Sequence, residues 1–132
     1  MVKSIHHINI LVRDLEAAIP AYEQILGFPV SHRDELPERG VRAARFQVGE
    51  TWLVLVQPTR SDSVPGRYLM EHGEGFFLLS FEVDSLQVEV DALGTRCFDG
   101  PTRRGAEDWQ VVDLDRRMTC GAQLQFVSTE NS

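Results

Sequence analysis

Groups that can form hydrogen bonds and stack are set at strand spacing in this sequence. His7 and Asn9 lie two residues apart in an apolar segment, so both side chains fall on one face of a predicted strand. The same alternation predicts a common face for seven substrate-binding candidates: His7, Asn9, Trp52, Phe76, Ser80, Gln123 and Gln125. An apolar and aromatic wall with a few neutral polar groups is typical of a small-molecule pocket. Trp52 fits a stacking surface for a planar ligand or ordinary core packing, and both interpretations stay open.

The strand that carries His7 is followed by a helix signal. Asp14 occupies the N-cap position, because its carboxylate can accept hydrogen bonds from free backbone N–H groups. Apolar residues then follow at helical spacing up to a stop at Gly27: Leu15, Ala18, Ile19, Tyr22 and Leu26. Pro20 lacks the N–H that would bond to the carbonyl of Glu16, so we expect a bend or an irregular first turn.

Further elements complete two halves with the same pattern. The first half continues with predicted strands at 30–33, 41–48 and 52–56 and a short helix at 67–71. The second half has a strand at 76–83, a helix at 86–93 and strands near 95–98, 109–113 and 122–127. Residues 12–15 resemble residues 83–86, and 52–56 lie over 123–127 at the same offset of 71. Each half is β-α-β-β-β, which predicts a duplicated α+β module whose strands curl around a shared cavity.

Length and composition exclude several classes of protein. The 132 residues fit a single domain, 1–132, with modules at approximately 5–60 and 76–128. The net charge of −7 argues against a nucleic-acid partner. The apolar runs are too short to span a membrane, and no signal peptide is visible. Cys97 and Cys120 lack CxxC spacing, so we expect reduced thiols in a cytoplasmic protein.

Several segments resemble a known superfamily. HHINILVRDL at 6–15, followed by Tyr22 and LGF at 26–28, resembles the opening of vicinal-oxygen-chelate proteins. These include glyoxalase I, extradiol dioxygenases, bleomycin-resistance proteins and methylmalonyl-CoA epimerase. PERGV at 37–41, GEG at 73–75 and FEVD at 81–84 resemble the epimerase family in particular. The resemblance implies two βαβββ modules forming an open, cup-shaped, mostly antiparallel sheet, and a homodimer, since the family often pairs such domains.

The resemblance also implies where a metal would bind. The metalloenzymes of the superfamily take four ligands from the first and last strands of their modules. The corresponding residues in this sequence are His7, Val54, Leu78 and Gln125. Two of the four have no lone pair to offer, so we expect no metal and no other cofactor. His6 and Gln57 differ in strand parity from His7 and Val54 and are expected to face away from this surface.

Glu38 matches, by motif, the family's carboxylate base, which removes a proton alpha to a thioester carbonyl. The interpretation of Glu38 as a solvated loop glutamate, near the charged run Arg33-Asp34-Glu35, is slightly favoured over the base. The leading hypothesis is a protein that binds a small molecule, either a planar compound or a thioester, without a metal ion. This hypothesis does not decide whether the protein also catalyses a reaction. One alternative is an epimerase-like or glyoxalase-like metalloenzyme whose metal ligands lie at other positions than those assigned above. Another is a scaffold protein that uses only the fold.

Two arginine pairs are candidates for binding the phosphates of coenzyme A: Arg103-Arg104 and Arg116-Arg117. The carboxylates of Glu107 and Asp108 would repel those phosphates.

Overall fold

The first helix forms as its cap residues predict. In the computed structural model, which describes residues 1–129, helix α1 spans Leu15–Leu26. The Asp14 side chain accepts from the backbone N–H of Ala17, and Gly27 ends the helix in the left-handed conformation at φ 85°. Pro20 lies inside α1 without interrupting it. The exposed side of the helix accommodates its ring, because Pro20 faces solvent while Leu15 and Ile19 are buried.

The other elements follow in the predicted order. Helix α2 spans Val64–His72 and α3 spans Leu86–Leu93, capped by the side chains of Ser63 and Ser85. Eight strands are present in the described chain: β1 Ser4–Leu11, β2 His32–Leu36, β3 Val41–Val48, β4 Thr51–Pro58, β5 Gly75–Glu82, β6 Phe98–Arg104, β7 Gln110–Leu114 and β8 Leu124–Ser128. The α+β class, with one β-α-β-β-β pattern in each half, is confirmed.

Two of the predicted strands are displaced. The strand expected at 30–33 begins only at His32, because β2 pairs with β3 from His32 opposite Arg45 to Leu36 opposite Val41. The strand expected at 95–98 is largely a 3-10 turn, Thr95–Cys97, and β6 starts at Phe98. Helix α2 begins three residues earlier than predicted, because Ser63 caps it and Pro65 fits its first turn.

The chain divides into two compact units. The N-terminal unit is Ile8–Phe77, and the C-terminal unit combines Met1–His7 with the described chain from Leu78 onward. Within the N-terminal unit the strand order is β2-β3-β4-β1, and β2-β3-β4 pair antiparallel. Within the C-terminal unit the order is β1-β5-β8-β7-β6, in which β5 and β8 run parallel and β8-β7-β6 antiparallel.

Equivalent hydrogen bonds recur in the two units at the predicted offset. Val12 N donates to Val56 O over 2.9 Å, and Val83 N donates to Val127 O over 2.9 Å. Val12 follows β1 and bonds to β4, and Val83 follows β5 and bonds to β8. The offset of 71 residues therefore describes backbone pairing as well as sequence pattern.

The core of the N-terminal unit lies on both faces of its sheet. Helix α1 packs on one face through Leu15 and Ile19 against a cluster that includes Ala44, Phe46 and Leu55. The opposite face carries a second apolar cluster: Leu11, Val41, Ala43, Val54 and Val56, with Trp52, Tyr68 and Phe77 packed against it. No helix within residues 1–129 has the length and apolar character needed to cross a membrane.

Candidate functional site

His7 lies in a closed aromatic cluster of the C-terminal unit. Its side chain is 7% exposed, and its Nδ1 lies 2.8 Å from Nδ1 of His6. One ring must donate and the other accept in that contact. Trp109 stacks on His7 with the ring centroids 5.9 Å apart and meets His6 edge-on at 4.5 Å. His6 is therefore buried beside His7, contrary to the expectation from strand parity, because the Trp109 ring packs against both imidazoles.

Ser80 and Gln125 meet directly. They are register partners on the parallel strands β5 and β8, and both are fully buried. Ser80 Oγ donates to Gln125 Oε1 over 3.0 Å, and Gln125 Nε2 donates to Asp113 Oδ1 over 3.2 Å. Asp113 is the partner of Gln125 on β7 and accepts two hydrogen bonds from Arg103, at 2.6 and 3.0 Å.

We call Ser80, Gln125, Asp113 and Arg103 the polar chain. The strand pattern indicates Ser80 and Gln125 as site residues but does not indicate Asp113 and Arg103 as their partners. Strand alternation does place Asp113 among apolar neighbours, Val111 and Val112, which is an unusual setting for a carboxylate. Knowing that its partner is Gln125 required the pairing of β7 with β8, which the sequence pattern did not provide.

The N-terminal unit holds the remaining binding candidates. Asn9 Oδ1 is buried and has no hydrogen-bond partner among the described residues. A buried acceptor without a hydrogen bond lowers the stability of the folded protein unless water or a ligand supplies a donor. Trp52 is half-buried against the apolar cluster of β3 and β4. Phe76 is 78% exposed, an unusual state for a large aromatic side chain.

Glu38 lies on a turn at the end of β2. It is exposed within a 3-10 turn, Pro37–Arg39, that ends at Gly40 in the left-handed conformation at φ 67°. Thr59 N donates to Gly40 O over 2.7 Å, which attaches this turn to the segment after β4. The carboxylate is thus presented to solvent on an anchored backbone.

Gln123 lies just before β8 and is half-buried, with its carbonyl accepting from Leu79 N at 3.1 Å. Leu78, at one of the positions that the resemblance assigns to a metal ligand, is also half-buried. Neither residue adds an ionisable group to the C-terminal unit.

The residues at the four positions that the resemblance assigns to metal ligands do not fit a divalent ion. Val54 and Leu78 offer no donor atom, and the amide of Gln125 uses its oxygen on Ser80 and its nitrogen on Asp113. Turning that amide toward an ion would break both bonds. Among residues 1–129, no group of three or more His, Cys, Asp or Glu side chains is placed to hold a metal ion. Protein sites for such ions use three or more convergent ligands.

Three of the four arginines considered for phosphate binding have acidic partners, and the fourth, Arg116, is exposed. Arg103 is bound by Asp113, and Arg104 forms an ion pair with Asp108. Arg117 donates to Asp115 from its side chain and its backbone, and these bonds lower the pKa of Asp115 to about 2. A phosphate would have to compete with these carboxylates for the same guanidinium groups.

Comparisons with known proteins agree on the family. Residues 4–117 match the model of the Glyoxalase/Bleomycin resistance protein/Dioxygenase superfamily. Human mitochondrial methylmalonyl-CoA epimerase is 34% identical over 124 residues, covering 91% of this chain and 70% of that protein. The YqjC protein of Bacillus subtilis is 28% identical over 123 residues, covering 91% of this chain and 88% of that protein.

Solved structures support the same family assignment. A variant of the Streptomyces coelicolor methylmalonyl-CoA epimerase, in complex with 2-nitronate-propionyl-CoA, has a TM-score of 0.89 at 27% identity and covers 97% of this chain and 95% of that one. A methylmalonyl-CoA epimerase in complex with methylmalonyl-CoA and NH4+ has the same TM-score, identity and coverage. Sequence, strand order and these likenesses together place the chain in the glyoxalase/bleomycin resistance protein/dioxygenase superfamily, to which it belongs.

Proposed function

We propose that this chain binds an acyl-CoA thioester without the divalent metal of its metalloenzyme relatives. The proposal rests mainly on Gln125, whose amide oxygen accepts a buried hydrogen bond from Ser80 and whose amide nitrogen donates a part-buried one to Asp113. The absence of donor atoms from Val54 and Leu78 supports it. The thioester class is suggested by the solved epimerases, whose ligands are 2-nitronate-propionyl-CoA and methylmalonyl-CoA.

We propose binding residues in each of the two units. In the N-terminal unit, Asn9 Oδ1 is a buried acceptor that a ligand N–H or O–H would satisfy, and Trp52 and Phe76 offer aromatic surface. In the C-terminal unit the proposed residues are His7, Ser80, Gln123 and Gln125. Ser80 and Gln125 are buried and hydrogen-bonded to each other, so we propose that they orient neighbouring groups rather than exchange their own bonds for a ligand. A ligand that buries apolar surface and makes a few polar contacts fits this composition.

If the protein is catalytic, Glu38 is the group we propose as the base. An exposed carboxylate on an anchored turn can accept the proton alpha to a thioester carbonyl. A general base alone supplies about 10²- to 10⁴-fold, and electrostatic stabilisation of the developing oxyanion is usually the larger contribution. We therefore expect slow exchange of the proton alpha to the thioester carbonyl.

We also propose that the protein is a cytoplasmic homodimer. Analytical ultracentrifugation would test the dimer, and cell fractionation would test the location.

The test combines ligand binding with metal analysis. Protein purified without chelator is analysed for metals and then titrated with methylmalonyl-CoA by calorimetry, with and without EDTA, using CoA as the control. We expect much less than one ion per chain and the same affinity in EDTA. Ligand at about 100 times Kd should stabilise the fold by about 2.7 kcal/mol, or about 10 °C in Tm.

Two results would contradict the proposal. One tightly held ion per chain, with binding lost in EDTA, would establish the metalloenzyme alternative. Absence of binding at millimolar methylmalonyl-CoA, with and without added Mg²⁺ or Co²⁺, would exclude the thioester class and favour a scaffold.

A further inference from the structure

Arg45 is a fully buried arginine in the middle of β3. Its side chain is 1% exposed, and its Nε donates to Asp34 Oδ2 over 2.7 Å while Nη2 lies 3.4 Å from Oδ1. Asp34 belongs to the neighbouring strand β2. The flanking residues Ala44 and Phe46 pack on α1, so alternation places Arg45 on the opposite face, with Ala43 and Val54.

The guanidinium lies against Trp52. Its central carbon is 4.8 Å from the centroid of the Trp52 ring, a distance typical of cation–π contacts. The His32 ring meets Trp52 edge-on at 5.6 Å. Arg45 is also the register partner of Val54, two residues after Trp52 on β4. The indole is therefore contacted from two sides. It lies next to Val54, one of the positions that the resemblance assigns to a metal ligand.

Stability alone does not explain this arrangement. A buried ion pair loses the hydration of both charges, and well-packed apolar residues of similar size are often as stable or more so. The apolar cluster on this face of the sheet includes Val41, Ala43, Val54 and Val56. What the charged pair adds is direction, because a planar guanidinium anchored by a carboxylate can lie over a ring in only a few orientations.

We propose that Arg45, held by Asp34, is a positioning residue for ligand binding that acts through Trp52. It fixes the half-buried indole as a flat surface against which a planar group of the ligand, such as a thioester, packs. The inference deepens the proposed function and rests on it for the ligand, whereas the effect of Arg45 on the indole is independent of any ligand.

The experiment compares three variants. Arg45→Met removes the charge, Arg45→Lys keeps it without the planar group, and Arg42→Met is the matched control, since Arg42 lies on β3 with exposed partners Glu35 and Glu16. The indole N–H signal of Trp52 is followed by ¹H–¹⁵N NMR, with Trp109→Phe identifying the other of the two tryptophans. Affinity for methylmalonyl-CoA is measured by calorimetry.

We expect Arg45→Met to shift the Trp52 signal and weaken binding at least tenfold. Arg45→Lys should lie between it and the wild type, and Arg42→Met should change neither readout. If Arg45→Met does not fold, Arg45→Lys carries the test, because it retains the buried charge. A folded Arg45 variant with the wild-type Trp52 signal and affinity would overturn the inference. If the wild type binds no thioester, the proposed function fails, and an unchanged indole signal would separately refute the role of Arg45.

Discussion

Ser80 and Gln125 are joined by a hydrogen bond of 3.0 Å between two side chains with almost no exposure to solvent. Gln125 continues the contact to Asp113, and Asp113 continues it to Arg103 at the partly exposed end. The amide is thus locked by a donor on one side and an acceptor on the other. A group held in this way can orient a neighbour, and it can turn toward another partner only by breaking these bonds.

Gln125→Glu should destabilise the protein by about 3 kcal/mol at neutral pH, because it places a buried carboxylate beside the half-buried carboxylate of Asp113. The deficit should shrink at acidic pH, where the new carboxyl group is protonated and resembles the amide. Denaturant unfolding at several pH values would measure both effects. Gln110→Glu, opposite Arg104 on β6, is the control and should cost little. A neutral or stabilising Gln125→Glu would contradict the polar chain.

Glu38→Gln should lower any deuterium exchange at the alpha carbon of methylmalonyl-CoA by at least about 100-fold, since it removes the only base we propose. Binding should change little, because the carboxylate is exposed. NMR in D₂O measures the exchange and calorimetry the binding. Glu35→Gln, an exposed carboxylate on the same strand and turn segment, is the control. Equal exchange by the two variants would show that Glu38 is a solvated loop residue.

Asp115→Asn should reduce stability in a pH-dependent way. The hydrogen bonds from Arg117 hold the folded-state pKa of Asp115 at about 2, below its ordinary value of 3.8. A lowered folded-state pKa means that the ionised group stabilises the fold above about pH 3.8 and that this contribution disappears as the pH falls toward 2. The difference in Tm between wild type and variant should therefore be constant from pH 5 to 7 and narrow below pH 4. A constant difference down to pH 2 would contradict this assignment.

Pro20→Ala should raise the free energy of unfolding by about 1 to 3 kcal/mol, because alanine restores the bond to the Glu16 carbonyl inside α1. Pro20 is exposed, so little packing is lost. Pro65→Ala is the matched control, since Pro65 lies in the first turn of α2, where no N–H is required. Urea unfolding would compare them. A loss of stability in Pro20→Ala would show that the ring itself makes contacts that matter.

Local signals predicted much of the fold. Helix α1 has the expected bounds because its cap, its apolar spacing and its stop at Gly27 all agree. Helix α3 and strand β3 also match their predicted limits. The superfamily was recognised from short segments whose order and spacing recur, and the family model confirms it.

Tertiary pairing decided what the sequence could not predict. The apolar residue Val30 suggests an earlier start for β2. The strand begins at His32 instead, because its pairing with β3 starts there, opposite Arg45. His6 approaches His7 because Trp109, a residue about a hundred positions away, packs on both rings. Neither Arg45 nor Asp113 was singled out, since a charged residue in a strand is ordinarily assigned to solvent.

The polar chain also bears on how such a domain changes over evolutionary time. Whatever residue an ancestor carried at position 125, an acid introduced there now would meet Asp113, and replacing Asp113 first would leave Arg103 without its acceptor. Each single mutation toward an acidic residue therefore passes through a less stable protein, which selection tends to remove. Mutual dependence among Gln125, Asp113 and Arg103 can in this way preserve a neutral side chain at position 125.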